Sequence, residues 1–213
     1  MLFRSASPFI RDTLNPRVIR TGIKVPSPIF IDSVAPVNTG PLPMQTGELF
    51  RADWNGTDGG DTDARHILSV IDTLAKQYSV DPRIRADAVK IARPAMNNDV
   101  RGMFRNIVEF VETRVLYVAD PADQEWIIAP NVMLDEIAAA GRGHGDCDDH
   151  VVLGNTLLLA VGIPARPVAV KVGGSEFYNH VISEVNVDGN RYTVDWINKD
   201  GQSVRYTDYL VLK

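Results

Sequence analysis

Apolar residues change period twice along this chain. Up to about residue 62 no helical spacing survives, and alternation is brief, at Ile29 and Ile31. From Ala64 onward, Ile67, Leu68, Ile71, Leu74 and Tyr78 recur three and four apart, which predicts an amphipathic helix. Asp81 ahead of Pro82 predicts a second helix reaching about residue 92, since an Asp side chain caps orphan N–H groups and proline suits the first helical position. Arg93-Pro94 ends it. Phe104, Ile107, Val108, Val111 and Val115 line one face of a third helix, expected over about 99–117. Residues 118–131, with Pro121, Trp126 and Pro130, read as a loop, and a short helix over 133–140 stops at Gly141. The apolar run 151–161 predicts a helix that begins near Cys147 and closes at Gly162-Ile163-Pro164. After Pro164 the period is two: 166–172, 180–187 and 191–197 read as strands, with a last short one at 203–206. Helices followed by an antiparallel sheet make an α+β domain.

One turn fixes the register of that sheet. Asp188-Gly189 between two strand-like runs is the signature of a two-residue type I′ hairpin. It pairs Val187 with Asn190, Val185 with Tyr192 and Ser183 with Val194. His180 and Asp195 then fall on one face as diagonal neighbours, with Cα atoms about 7–8 Å apart. A one-residue slip would separate them. Trp196 falls on the opposite face, where core packing is expected, and Glu184 is expected at a solvated surface.

The only cysteine lies in Gly143-His144-Gly145-Asp146-Cys147-Asp148-Asp149-His150, where the predicted helix begins. Outward-pointing N–H groups and the helix dipole favour a thiolate there. The His and Asp of the hairpin supply the other parts of a nucleophilic triad. Cys147 would attack a carbonyl, His180 would shuttle the proton, and Asp195 would orient the imidazole. The Cys147 N–H is one oxyanion donor, with Trp126 or Gln124 as the second. Three carboxylates oppose the thiolate unless they are engaged. Asp146 is expected to cap the helix. Asp148 and Asp149 are expected to accept first-turn N–H groups or to pair with Arg142 or Arg166. Asp146, Asp149 and His150 are therefore assigned a supporting role.

Other candidate chemistry is thin. His144 and His150 flank the acidic run, but no second Cys/His cluster exists, so no metal and no cofactor are expected. The acidic stretch from Asp53 to Asp63 departs from calcium-loop spacing, and a solvated turn is expected. His66 is expected at the surface. Trp54 and Trp126 are expected to cover the core or line a cleft.

Composition narrows the setting. The 213 residues carry a net charge of −5, which argues against a nucleic-acid partner. No apolar run approaches the roughly 20 residues of a membrane span, and the N-terminus lacks the apolar core of a secretory signal. Seven of the 13 prolines fall between Pro8 and Pro43, and residues 1–43 carry a net charge of about +3 against about −8 for the remainder. Two units are expected: a Pro-rich arm over 1–62 that holds a partner, and a folded domain over 63–213.

Taken together, the Cys147 block, Leu159-Ala-Val-Gly-Ile-Pro-Ala-Arg166, His180-Val-Ile-Ser-Glu-Val and Tyr192-Thr-Val-Asp195-Trp resemble the transglutaminase-like superfamily of cysteine enzymes. The likeness covers about 133–198. It implies a papain-like α+β core, carries the family triad onto Cys147, His180 and Asp195, and implies hydrolysis or transfer of a peptide or isopeptide amide in a peptide or protein substrate. The aromatic that often follows the family His is Val181 here. The Asp-Cys-Asp-Asp-His variant is similar to short proteins encoded by tailed bacteriophages. This implies a place in a phage virion or the bacterial host cytoplasm, with other virion proteins bound through 1–62. The alternative expectation is a non-catalytic structural or assembly protein of a virion that reuses the fold.

Overall fold

In the computed structural model, the described residues are 10–12, 18–19, 49–52, 61–93, 99–120, 125–197 and 205–212. Helix α5 (Cys147–Ala160) lies at the centre of the fold, and from Asp148 to Ala160 only Leu159 is not buried. A helix buried on every side has no solvent face and is enclosed by other elements. Helices α1 (Asp61–Ser79), α2 (Pro82–Ala92) and α3 (Val100–Arg114) pack against it, as do strands β7 (Ala165–Val172) and β8 (His180–Val187). The α1 stripe Ala64, Ile67, Leu68, Ile71, Leu74, Ala75 is buried as its spacing predicts. Asp81 caps α2 through the N–H groups of Arg83 and Ile84 at 2.9 and 3.0 Å, with Pro82 opening the helix. Asp99 caps α3 through the Gly102 N–H at 2.8 Å.

The main sheet is antiparallel throughout. Its order is β10 (Tyr206–Leu210), β7, β8, β9 (Asn190–Val194), β1 (Ile10–Asp12) and β2 (Val18–Ile19). The α+β architecture read from the sequence is therefore the observed one. The hairpin register is also as derived: Val187 pairs with Asn190, Val185 with Tyr192 and Ser183 with Val194. Asp188 and Gly189 both have positive φ, 52° and 80°, as a type I′ turn demands.

Several boundaries differ from the expected ones. The third helix stops at Arg114, and Val115–Tyr117 forms strand β4, parallel to β6 (Gly143–Gly145). Val115 continues the apolar stripe and is buried, so periodicity alone could not mark the change. Residues 118–131 are not all loop. Glu125–Ile128 forms β5, antiparallel to β3 (Leu49–Ala52), and α4 (Pro130–Ala140) starts three residues early, with Pro130 at its first turn. The last strand is Tyr206–Leu210, later than 203–206, and pairs with β7. The alternation at Ile29 and Ile31, Trp54 and the acidic turn up to Gly60 lie outside the described residues.

Candidate active site

Strand β6 delivers the chain directly into α5, so residues 146–149 sit where sheet gives way to helix. Gly145 permits a close approach there: a Cβ at that position would meet the Asp149 carboxylate at 2.4 Å. Asp149 in turn folds back on the helix start. Its Oδ2 accepts the Asp146 N–H at 3.1 Å and its Oδ1 accepts the Ile128 N–H of β5 at 2.7 Å. Asp146 accepts the Asp148 N–H at 3.2 Å, which completes a capping box. The buried His150 ring holds the Asp146 carbonyl through Nδ1 at 2.6 Å. Asp146, Asp149 and His150 thus shape the first turn that carries Cys147.

Across from this turn, His180 begins β8 and Asp195 directly follows β9. The strand ladder ends at the Ser183–Val194 pair, yet the two side chains meet beyond it. His180 Nε2 lies 3.0 Å from Asp195 Oδ1, with both side chains almost buried. The Cys147 sulfur accepts the backbone N–H of Val181, the residue after His180. Helix α5 therefore brings its thiol to the same end of β8 that holds the imidazole. Trp196 braces this corner on the other face of β9. Its indole N–H donates to Ser183 Oγ at 2.7 Å, and its ring lies against Gly154 of α5, where a Cβ would sit 2.4 Å from it.

The electrostatics overturn one expectation. The thiol is pushed up, not down, first by burial and then by the Asp146 charge, against which the Val181 N–H acts only partly. The helix dipole does not prevail because burial strips the solvation a thiolate needs, and Asp146, Glu125 and Asp149 add like charge. Neither arginine proposed as a partner reaches them: Arg166 pairs with Glu184 at 2.7 Å, and no ion pair joins Arg142 to any of the three. Glu184, expected at a solvated surface, is instead partly buried between Arg166 and Arg191. Asp148 does not bond first-turn N–H groups either. It is wholly buried, and both its carboxyl oxygens lack a donor. Asp148 and Asp149 are both held well above the usual carboxylate range, chiefly by burial.

Two groups near the thiol carried no signal in the sequence. Glu125, which seemed a loop residue, is brought in by β5, and burial followed by Asp146 pushes its carboxyl up to about 7. Glu125, Asp146 and Asp148 each present an oxygen within 4.8 Å of the others. Tyr117, at the end of β4, has its phenol pushed up by burial and by the Cys147 and Asp146 charges. Only the β3–β5 and β4–β6 pairings reveal these neighbours. Trp126 lies beside Glu125 on β5, partly buried, while Gln124 lies outside the described residues. His144 is exposed and hydrogen-bonded to Glu136, so it does not converge with His150. His66 is exposed as expected.

The transglutaminase-like superfamily profile matches residues 85–200, more than half of the chain. The chain belongs to the transglutaminase-like superfamily. Among solved structures, it is similar to a protein of Cytophaga hutchinsonii provisionally named a cysteine protease, at 18% identity and TM-score 0.45, over 62% of this chain and 43% of that one. A second, from Parabacteroides distasonis ATCC 8503 and provisionally named a protease, shares 15% identity at TM-score 0.48, over 61% of this chain and 26% of that one. The chain thus spans less than half the length of either. No curated protein matches it in sequence. Superfamily membership agrees with the α+β core.

Proposed function

We propose that this domain is a thiol-dependent acyl-transfer enzyme that hydrolyses or transfers a peptide or isopeptide amide. Cys147 is the nucleophile, His180 the general base and acid, and Asp195 the group that orients the imidazole. The observation that carries this reading is the 3.0 Å contact between His180 Nε2 and Asp195 Oδ1 beside a thiol seated on the Val181 N–H. With Nε2 committed to Asp195, Nδ1 is the ring nitrogen left for the thiol. The sulfur forms a bond to the amide carbonyl carbon while its proton passes to His180. His180 then protonates the leaving nitrogen as the C–N bond breaks, leaving a thioester. Water or an amine opens the thioester and returns the proton to sulfur. Because burial holds the resting thiol up, proton transfer to His180 accompanies attack. The Cys147 N–H and the Trp126 indole are the proposed oxyanion donors.

Covalent labelling with an epoxysuccinyl thiol-protease probe, read by mass spectrometry, tests the assignment without a known substrate. A single adduct on Cys147 is expected, absent in Cys147→Ser and formed at least tenfold more slowly in His180→Ala. Equal rates with and without the imidazole would mean that the three residues do not act together.

The upward shift of the thiol favours a second reading, a non-catalytic structural protein that keeps the fold. The setting proposed for either is a tailed-phage particle, in the virion or the bacterial host cytoplasm. That setting rests on the Asp-Cys-Asp-Asp-His variant and on the Pro-rich 1–62 segment, whose first 43 residues carry about +3, as the contact with other virion proteins. Replacing Arg4, Arg17, Arg20 and Lys24 with glutamate, which leaves strands β1 and β2 on β9, should free the protein from particles while probe labelling persists. If particle association is unchanged, the arm is not that contact.

A further inference from the structure

We propose that Tyr117 and Val118 form an apolar wall beside Cys147 that seats a large apolar side chain of the substrate, one or two residues from the amide that reacts. The proposal rests on the acyl-transfer reading and names its substrate class: a peptide with an aromatic or large aliphatic residue close to the reacting carbonyl. Tyr117 and Val118 are 52% and 50% exposed, and among the described residues they are the only exposed large apolar side chains that are neighbours in sequence. Single apolar residues on a surface are ordinary, whereas a contiguous pair at a reactive group is a place for an apolar ligand.

The strand pairing sets their position. β4 runs parallel to β6 with Tyr117 beside Gly145, and the Val118 N–H donates to the Gly145 carbonyl at 2.9 Å. Gly145 is two residues ahead of Cys147. Neighbouring strands lie about 4.8 Å apart and two residues span at most about 7 Å, so the Cα atoms of Tyr117 and Cys147 stand within about 12 Å. Gly145 carries no side chain, so that position of β6 puts nothing between the phenol ring and the first turn of α5. The phenol is close enough to feel the Cys147 and Asp146 charges. Val115, on the same face of β4 two residues earlier, is fully buried, which anchors the strand that carries the wall. An extended peptide advances about 3.3–3.6 Å per residue, so a side chain one or two residues from a carbonyl held at the sulfur reaches this wall. The acids nearby are turned inward. Asp148 and Asp149 are buried, Asp149 is held by the Asp146 and Ile128 N–H groups, and Asp120 accepts the Trp126 N–H. Burial pushes the Glu125 carboxyl up to about 7, so it offers little charge to a lysine side chain.

Epoxysuccinyl amides of phenylalanine, alanine, aspartate and lysine, with labelling of Cys147 in the full chain followed by mass spectrometry, test the wall. The phenylalanine probe should react at least about tenfold faster than the alanine and aspartate probes, as discrimination by an apolar site allows. Tyr117→Ala should cut that advantage to less than about threefold, whereas Tyr117→Phe, which keeps the ring, should retain it. Tyr209→Ala, at an exposed tyrosine of β10, should leave the preference unchanged. All three substitutions are at exposed positions, and melting temperatures equal to the parent's will show that the variants fold. Equal phenylalanine and alanine rates, a preference that survives Tyr117→Ala, or a lysine probe faster than the phenylalanine one would each overturn the wall. If His180→Ala still slows every probe in those cases, the triad stands and only the wall fails. Probes that label equally with and without the imidazole would overturn the reaction and the wall together.

Discussion

Asp149 accepts N–H groups from Asp146, in its own helix cap, and from Ile128, on β5. The Asp146 donor is buried and the Ile128 donor partly so, and an unsatisfied buried N–H costs about 1–3 kcal/mol. Asp149→Ala should therefore destabilise the domain by at least about 2 kcal/mol in urea unfolding, far more than Asp72→Ala at a half-buried position whose partner is a surface lysine. The cysteine invites a second test at this scale. With its thiol held up by burial and Asp146, the thiolate fraction at pH 7 is below that of free cysteine. Alkylation of Cys147 by iodoacetamide should accordingly be slower than that of a cysteine peptide at pH 7, and its rate should still be climbing above pH 9. The motif Asp-Cys-Asp-Asp-His was legible as chemistry in the sequence. The sign of the thiol shift was not, because it depends on how deeply the three carboxylates are buried and which donors they find.

At the scale of elements, the site depends on how closely α5 meets the β8–β9 hairpin. Gly154 faces the Trp196 ring at a distance that leaves no room for a methyl group, and the indole is fixed by Ser183. Trp196 directly follows Asp195, so any outward shift of the ring moves the carboxylate that holds His180. Gly154→Ala should cost about 1–3 kcal/mol from overpacking, measured by urea unfolding, and should slow probe labelling of Cys147. The hairpin itself needed no tertiary information. Asp-Gly set the turn, the turn set the register, and the register brought His180 to Asp195. Strands β4, β5 and β6 are the contrary case. They are three or four residues long, and β6 reads Gly-His-Gly, with no strand propensity at all. They exist because partners lie alongside: β4 for β6, and β3 for β5.

For the whole molecule, the carboxyl group around Cys147 links stability to pH. Glu125 rises to about 7 from an ordinary 4.5, and Asp148 and Asp149 are raised in the same direction. The folded state therefore binds more protons than the unfolded chain in this range. The contribution of Glu125 is fully present below about pH 4.5 and is lost as pH rises through about 7. Tm should fall between pH 5 and pH 8, and the fall should be smaller in Asp148→Asn, as differential scanning calorimetry would record. By itself, the sequence determined the α+β order, the cap of α2, the hairpin register and the alignment of His180 with Asp195. These are local or nearest-strand properties, set by side-chain period, turn chemistry and capping over a few residues. Only the tertiary structure decided that Glu125 joins Asp146 and Asp148, that Arg166 is taken by Glu184, and that the thiol is pushed up. Each of these depends on burial and on segments distant in the chain meeting at one helix end, and charge energies change most where water is excluded.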